Sequence, residues 1–100
     1  RYRPIPRMPP LKLDLAVVVN ADAPADAIQE AIRRAGGPWL TEVILFDVYR
    51  GEQIGALKKS LAYRLTFQAP DRTLTSEQAN KQRDRIIQAL RQEFGAELRS

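Results

Sequence analysis

The stretch Lys59-Ser-Leu-Ala-Tyr-Arg-Leu-Thr-Phe-Gln68 alternates large apolar side chains with small or polar ones from end to end. Leu61, Tyr63, Leu65 and Phe67 fall on one side; Ser60, Ala62, Arg64, Thr66 and Gln68 fall on the other. That is the period-two signature of a strand buried on a single face. A one-residue slip would bury Arg64, so the pairing register is well specified.

The rest of the chain is read around this strand. Leu13, Leu15, Val17 and Val19 alternate with Asp14, Ala16 and Val18, which predicts a half-buried first strand. Asn20 to Pro24 turns the chain, and Pro24 suits the first turn of a helix, where amides lack internal partners. Ile28, Ala31, Ile32 and Ala35 recur at helical spacing until Gly36-Gly37-Pro38 stops the helix. In Thr41 to Tyr49 both alternating sets begin apolar, but one ends in Asp47 and Tyr49. The other set, Ile44, Phe46 and Val48, is therefore expected to face the core. Arg50 to Leu57, with two glycines, reads as a hairpin loop.

Ala69 to Arg72 forms a turn, and Thr75 with Gln78 three residues on predicts a capping box. Leu74 and Ala79 are placed for a hydrophobic staple. Ala79, Ile86, Ile87, Leu90 and Phe94 give a second helix its apolar stripe; Lys81, Arg83, Asp84, Arg85 and Arg91 read as its solvated face. Gly95 to Arg99 is a short final strand. The order β-α-β-β-α-β predicts an α+β fold, the ferredoxin-like split β-α-β sandwich: an antiparallel sheet with both helices on one face.

Composition narrows the chemistry. There is no cysteine and no histidine, so disulfides, thiolate sites, the usual general base and the commonest metal ligand are all excluded. No catalytic residue, metal or cofactor is expected. The longest apolar run, Leu15 to Val19, is far too short to span a membrane. The net charge of +4 is concentrated at the start: Arg1, Arg3, Arg7 and Lys12 all precede the first acid, Asp14. Pro4, Pro6, Pro9 and Pro10 stiffen the same stretch. Residues 1–12 are thus expected to be a Pro-rich basic arm and 13–100 the domain. The arm could contact phosphates or lie across a neighbouring domain. The chain starts at Arg1 with neither an initiator Met nor a leader-like run, and is expected to be a piece of a longer protein.

The helices leave one sheet face open. Alternation places on it Asp14, Ala16 and Val18, then Asp47 and Tyr49, then Ser60, Ala62, Arg64 and Thr66. The small residues leave room for something flat. Open sheets of this kind bind single-stranded RNA by stacking bases on rings and reading their edges with polar groups. Tyr49 is the one ring expected there, and Asp47 could accept from a guanine's N1–H and N2 amine. Lys58, Lys59, Arg50 and Arg72 lie in or beside connections where phosphates could be met. The plainer alternatives are that Lys58-Lys59 is a solvated hairpin edge and that Tyr49 simply ends a strand. The common RNA-recognition module is excluded because its Gly-aromatic run is missing from Lys58 to Leu65. The acylphosphatase arrangement is excluded because no Gly-rich loop follows the first strand. A protein-interaction or effector-binding domain of the same fold, without RNA contact, is the rival reading.

Five words stand in order: Tyr2-Arg-Pro-Ile-Pro-Arg-Met-Pro9, Asp14-Leu-Ala16, Leu45-Phe-Asp-Val-Tyr-Arg-Gly51, Lys58-Lys-Ser-Leu-Ala62 and Asp71-Arg-Thr-Leu-Thr75. Together they closely resemble the ferredoxin-fold anticodon-binding (FDX-ACB) domain. That domain ends the β subunit of bacterial phenylalanyl-tRNA synthetases and occurs in single-chain organellar enzymes. The resemblance implies a cytoplasmic domain that holds the anticodon stem-loop of phenylalanine tRNA while catalysis, with ATP and magnesium, happens elsewhere. It also implies, as partners, the rest of the β subunit and an α subunit in a heterotetramer. Carried over residue by residue, it implies RNA contacts at Ala16, Asp47, Tyr49 and Ser60, with a guanine as the partner of Asp47 and Tyr49. Arg64, Lys58 and Lys59 complete the expected RNA-binding set. The sequence departs from the family pattern at Gly55-Ala56-Leu57, at Leu13 and at Met8.

Overall fold

A computed structural model describes residues 9–99, so the basic arm as far as residue 8 lies outside the described residues. The order is β1 (Leu11–Asn20), α1 (Ala25–Ala35), β2 (Leu40–Tyr49), a short 3-10 turn (Glu52–Ile54), β3 (Lys58–Phe67), α2 (Ser76–Phe94) and β4 (Glu97–Leu98). The strands form one antiparallel sheet in the order β2-β3-β1-β4. This is the expected ferredoxin-like α+β architecture. β1 begins two residues before the expected Leu13.

Burial of apolar side chains on one face holds these layers together. Leu15, Val17 and Val19 from β1 and Leu61, Tyr63, Leu65 and Phe67 from β3 meet Ile28, Ala31 and Ile32 from α1 and Ala79, Ile86, Ile87 and Leu90 from α2. The Tyr63 hydroxyl, carried into this core, donates to the Ala25 carbonyl at 3.0 Å. Burial, helped by the nearby Asp26 charge, pushes its pKa up to about 12.

Each helix ends where its sequence says. Pro24 sits at the N-cap of α1 in extended conformation, one position ahead of the first turn. The capping box of α2 is complete: Gln78 N–H donates to Thr75 Oγ1 at 3.1 Å, and Thr75 N–H donates to Gln78 Oε1 at 3.0 Å. Gly95 closes α2 in the left-handed region at φ 64°, a conformation glycine adopts without a Cβ clash. Its N–H bonds back to the Arg91 and Leu90 carbonyls, and the chain turns into β4.

β2 corrects the sequence reading. Val43 faces the core opposite Leu65, and Leu45 lies opposite Tyr63. Ile44 and Phe46, expected in the core, lie on the open face, 45% and 49% exposed, whereas Val48 keeps the expected helix side, opposite Leu61, but is 47% exposed. The pairing slips between Leu40 and Glu42 and again between Leu45 and Asp47, so that Thr41 and Phe46 are extra residues in the strand. Each bulge resets the alternation. The expected parity is therefore reversed before Phe46 and correct after it: Asp47 lies opposite Ala62 and Tyr49 opposite Ser60.

Candidate nucleic-acid interface

The uncovered face can be mapped from the register, because directly opposed residues of antiparallel strands share a face. One row runs Asp47, Ala62, Ala16, and the Arg99 N–H donates to the Ala16 carbonyl at 2.8 Å. The next row runs Tyr49, Ser60, Val18, Glu97. On the other side of the first row, Asp14 lies opposite Arg64, which lies opposite Ile44. Beyond the second row, Lys58 lies opposite Asn20.

Tyr49 curls over the start of the hairpin loop. A Cβ on Gly51 would collide with the phenol, so only glycine lets the ring lie there. The Tyr49 hydroxyl reaches Gln53 Oε1 at 3.5 Å. The Arg99 guanidinium sits 4.7 Å from the centre of this ring. Since β3 and β1 separate β2 from β4, these two side chains must span the small residues between them. Ser60, expected as an open contact, is only 3% exposed on this face. The flat object that Ala16, Ser60 and Ala62 make room for is here a ring and a guanidinium of the chain's own.

Asp47 is exposed and makes no hydrogen bond or ion pair with any described residue, so its acceptor positions face solvent. Arg64 is committed elsewhere. Its Nε and Nη2 donate to the two carboxylate oxygens of Asp14 at 2.9 and 3.3 Å, and its guanidinium lies 5.0 Å from the centre of the Phe46 ring. The Arg64 hydrogen bond holds the Asp14 carboxyl below its usual range, and the same bond raises Arg64.

The cations divide. Lys58 stays at the rim of the open face and donates through Nζ to Asn20 Oδ1 at 2.9 Å. Arg50 is exposed just after β2. Lys59 lies in the strand expected of it, but as an RNA contact it is a correction: it sits opposite Val19, on the helix side, and is only 7% exposed. Arg72 lies in the connection expected of it, between β3 and α2, where it stacks 5.0 Å from the Trp39 ring beside the far end of β2. The structure thus brings together Ala16, Asp47, Tyr49, Ser60, Arg64 and Lys58 and leaves out Lys59.

Sequence reasoning missed Phe46 and Arg99. Nothing in Leu45-Phe-Asp47 marks the bulge that turns Phe46 outward. Arg99 carried a usable signal, because a final strand through Glu97 and Arg99 puts both on one face. Among the described residues no group of three acidic side chains is placed to hold a metal ion, and no helix is long and apolar enough to cross a membrane.

Comparison with known proteins follows the same lines. The family model described as "Ferredoxin-fold anticodon binding domain" matches residues 6–99. The chain is 52% identical over 99 residues to the phenylalanine–tRNA ligase β subunit of Symbiobacterium thermophilum. It is 50% and 44% identical to the β subunits of Moorella thermoacetica and Geobacillus kaustophilus. These alignments take in 99% of the chain but only 11–12% of each relative.

Proposed function

The chain belongs to the ferredoxin-fold anticodon binding domain family, and on that premise we propose that its open sheet face holds the anticodon loop of phenylalanine tRNA. The observation that carries this reading is the placing together, on the face away from the helices, of the half-buried Tyr49 ring and the Asp47 carboxylate, which has no partner among the described residues. An unpaired base stacks on the ring, and Asp47 accepts from the Watson–Crick edge of a guanine, whose N1–H and N2 amine both donate. Ala16 and Ser60 supply the flat floor. To bare that floor, the Arg99 guanidinium moves off Tyr49, and its charge becomes free to meet a backbone phosphate. Lys58 and Arg50 flank the loop's phosphates.

On this reading the domain positions tRNA in the cytoplasm, within a synthetase whose remaining β subunit and α subunit form a heterotetramer. The ATP- and magnesium-dependent chemistry lies outside this domain. The named relatives and the lack of histidine and cysteine support that division.

A titration of the chain with an anticodon stem-loop RNA tests the reading. Wild type should bind with a log–log salt slope of about −0.7 for each single-strand phosphate neutralised. Tyr49→Ala should weaken binding by about 1–3 kcal/mol. Asp47→Asn should relax preference at the first anticodon base more than it lowers affinity overall, since base contacts specify and phosphate contacts position. Absence of binding, or equal affinity for wild type and Tyr49→Ala, would overturn the proposal.

A further inference from the structure

We infer that Phe46 and Arg64 form a second nucleobase platform on the same face, for an unpaired nucleotide next to the one on Tyr49. This rests on the RNA-binding reading above and adds a site to it.

Three observations carry the inference. The Phe46 ring is 49% exposed, although a large aromatic ring in water forgoes much of its burial free energy. It is exposed because the second bulge of β2 takes Phe46 out of the alternation and sets its ring beside Arg64 on the open face. Arg64 is fixed there by a two-point bond to Asp14, so ring and guanidinium are held as a ready stack before any ligand arrives. Bases stack on guanidinium planes as they do on rings, and a third planar layer can add to this pair. Three residue steps of strand lead from Phe46 to Tyr49, about 10 Å, so the two platforms serve neighbouring nucleotides.

Asp14 gives the platform an edge preference. Arg64 occupies one acceptor position on each carboxylate oxygen and leaves others free in a half-exposed side chain. A base with an exocyclic amine can offer them an N–H2 group; uracil has no such amine and offers only its single N3–H. The two stacks thus differ in charge, because Asp14 already neutralises Arg64 whereas Arg99 has no acid against it among the described residues.

The test uses this chain, stem-loop RNA and a set of loops made abasic at one position each. Phe46→Ala and Phe46→Leu should each lower affinity for the intact loop roughly 5- to 150-fold. Their salt slopes should match wild type, since neither the ring nor a paired arginine releases a counterion. Against the loop abasic beside the Tyr49 nucleotide, both variants should bind like wild type. Restoring that nucleotide as cytidine should recover more affinity than restoring it as uridine. The ring is exposed, so unchanged thermal unfolding should accompany these losses. Wild-type affinity in either variant, while Tyr49→Ala still weakens binding, would overturn the second platform and leave the first standing. That outcome would also assign the exposed ring to contact with protein. Equal recovery by cytidine and uridine would overturn the role of Asp14. A wild-type chain that binds no stem-loop would overturn the RNA reading itself.

Discussion

β3 and β2 lie side by side in the sheet, yet one keeps step for its whole length and the other breaks step twice. β3 is paired on both sides, with β1 and β2, and its inward side chains are fully buried. A bulge there would disturb two ladders and throw a polar residue into the core. β2 has a neighbour on one side only, and its outer half stands at the edge of the helix cover. It can absorb an extra residue at the cost of one local hydrogen-bonding position. The irregular strand is also the one that presents Phe46, Asp47 and Tyr49. Rigid β3 supplies the floor, and the freedom of β2 aims the side chains.

The strongest way to break this contrast is to truncate one inward and one outward residue. Leu65→Ala on β3, at a fully buried site, should cost about 2–5 kcal/mol. Ile44→Ala on β2, at a 45% exposed site, should cost under about 1 kcal/mol. Urea denaturation of both variants checks this. Similar losses would mean that β2 is as tightly held as β3, and that its bulges are not concessions at an edge.

A finer probe sits in β3 itself. Tyr63→Phe removes the hydroxyl that donates to the Ala25 carbonyl, a loss of about 0.5–1.5 kcal/mol at neutral pH. Its pH dependence follows from the raised pKa. Below pH 10 both folded and unfolded chains keep the phenol proton. Above it the unfolded chain releases that proton first, so wild-type stability falls as pH rises from 10.0 towards about 12. The Tyr63→Phe chain should lack this component of the alkaline loss. Parallel alkaline profiles would show that the phenol is less deeply held than its neighbours require.

The same two strands explain what could be read beforehand. β3 was legible because its polar set contains Arg64, whose burial no register would tolerate. The capping box of α2 was legible because Thr75 and Gln78 satisfy each other locally, without help from tertiary packing. In β2, Val43, Ile44, Leu45 and Phe46 are all apolar, so alternation alone could not say which set faces inward. Burial against α1 and α2 decides it, and the bulge at Phe46 then switches the parity. The polar end of the strand marks Asp47 and Tyr49 for the open face, where the register has them; its apolar half carries no such mark. Lys59 is a different case, since it shares the parity of Leu61 and the alternation already placed it on the helix side. Arg99 shares the parity of Glu97 in the final strand, a signal that is present but short, since that strand has only two residues.

The smallest effect tests the one charged group that β3 contributes to the stack with β2. Asp14 is a carboxylate whose folded pKa is depressed, chiefly by the hydrogen bond from Arg64, from a usual value of 3.8. Whatever the pair contributes is fully present above that value and is lost as pH falls through the lower folded one. Both side chains are about half exposed, so water screens the pair and the stability difference should be slight. Asp14→Asn and wild type should therefore unfold with a small, constant difference at neutral pH that closes as the solution is acidified below about pH 4. The ring resonances of Phe46 are the more sensitive readout. With its carboxylate anchor removed, Arg64 should wander from the ring, and those resonances should move towards values for an uncovered phenylalanine. Resonances that stay put in Asp14→Asn would mean that the ring alone holds the guanidinium, and that the edge strand is better organised than its broken alternation implies.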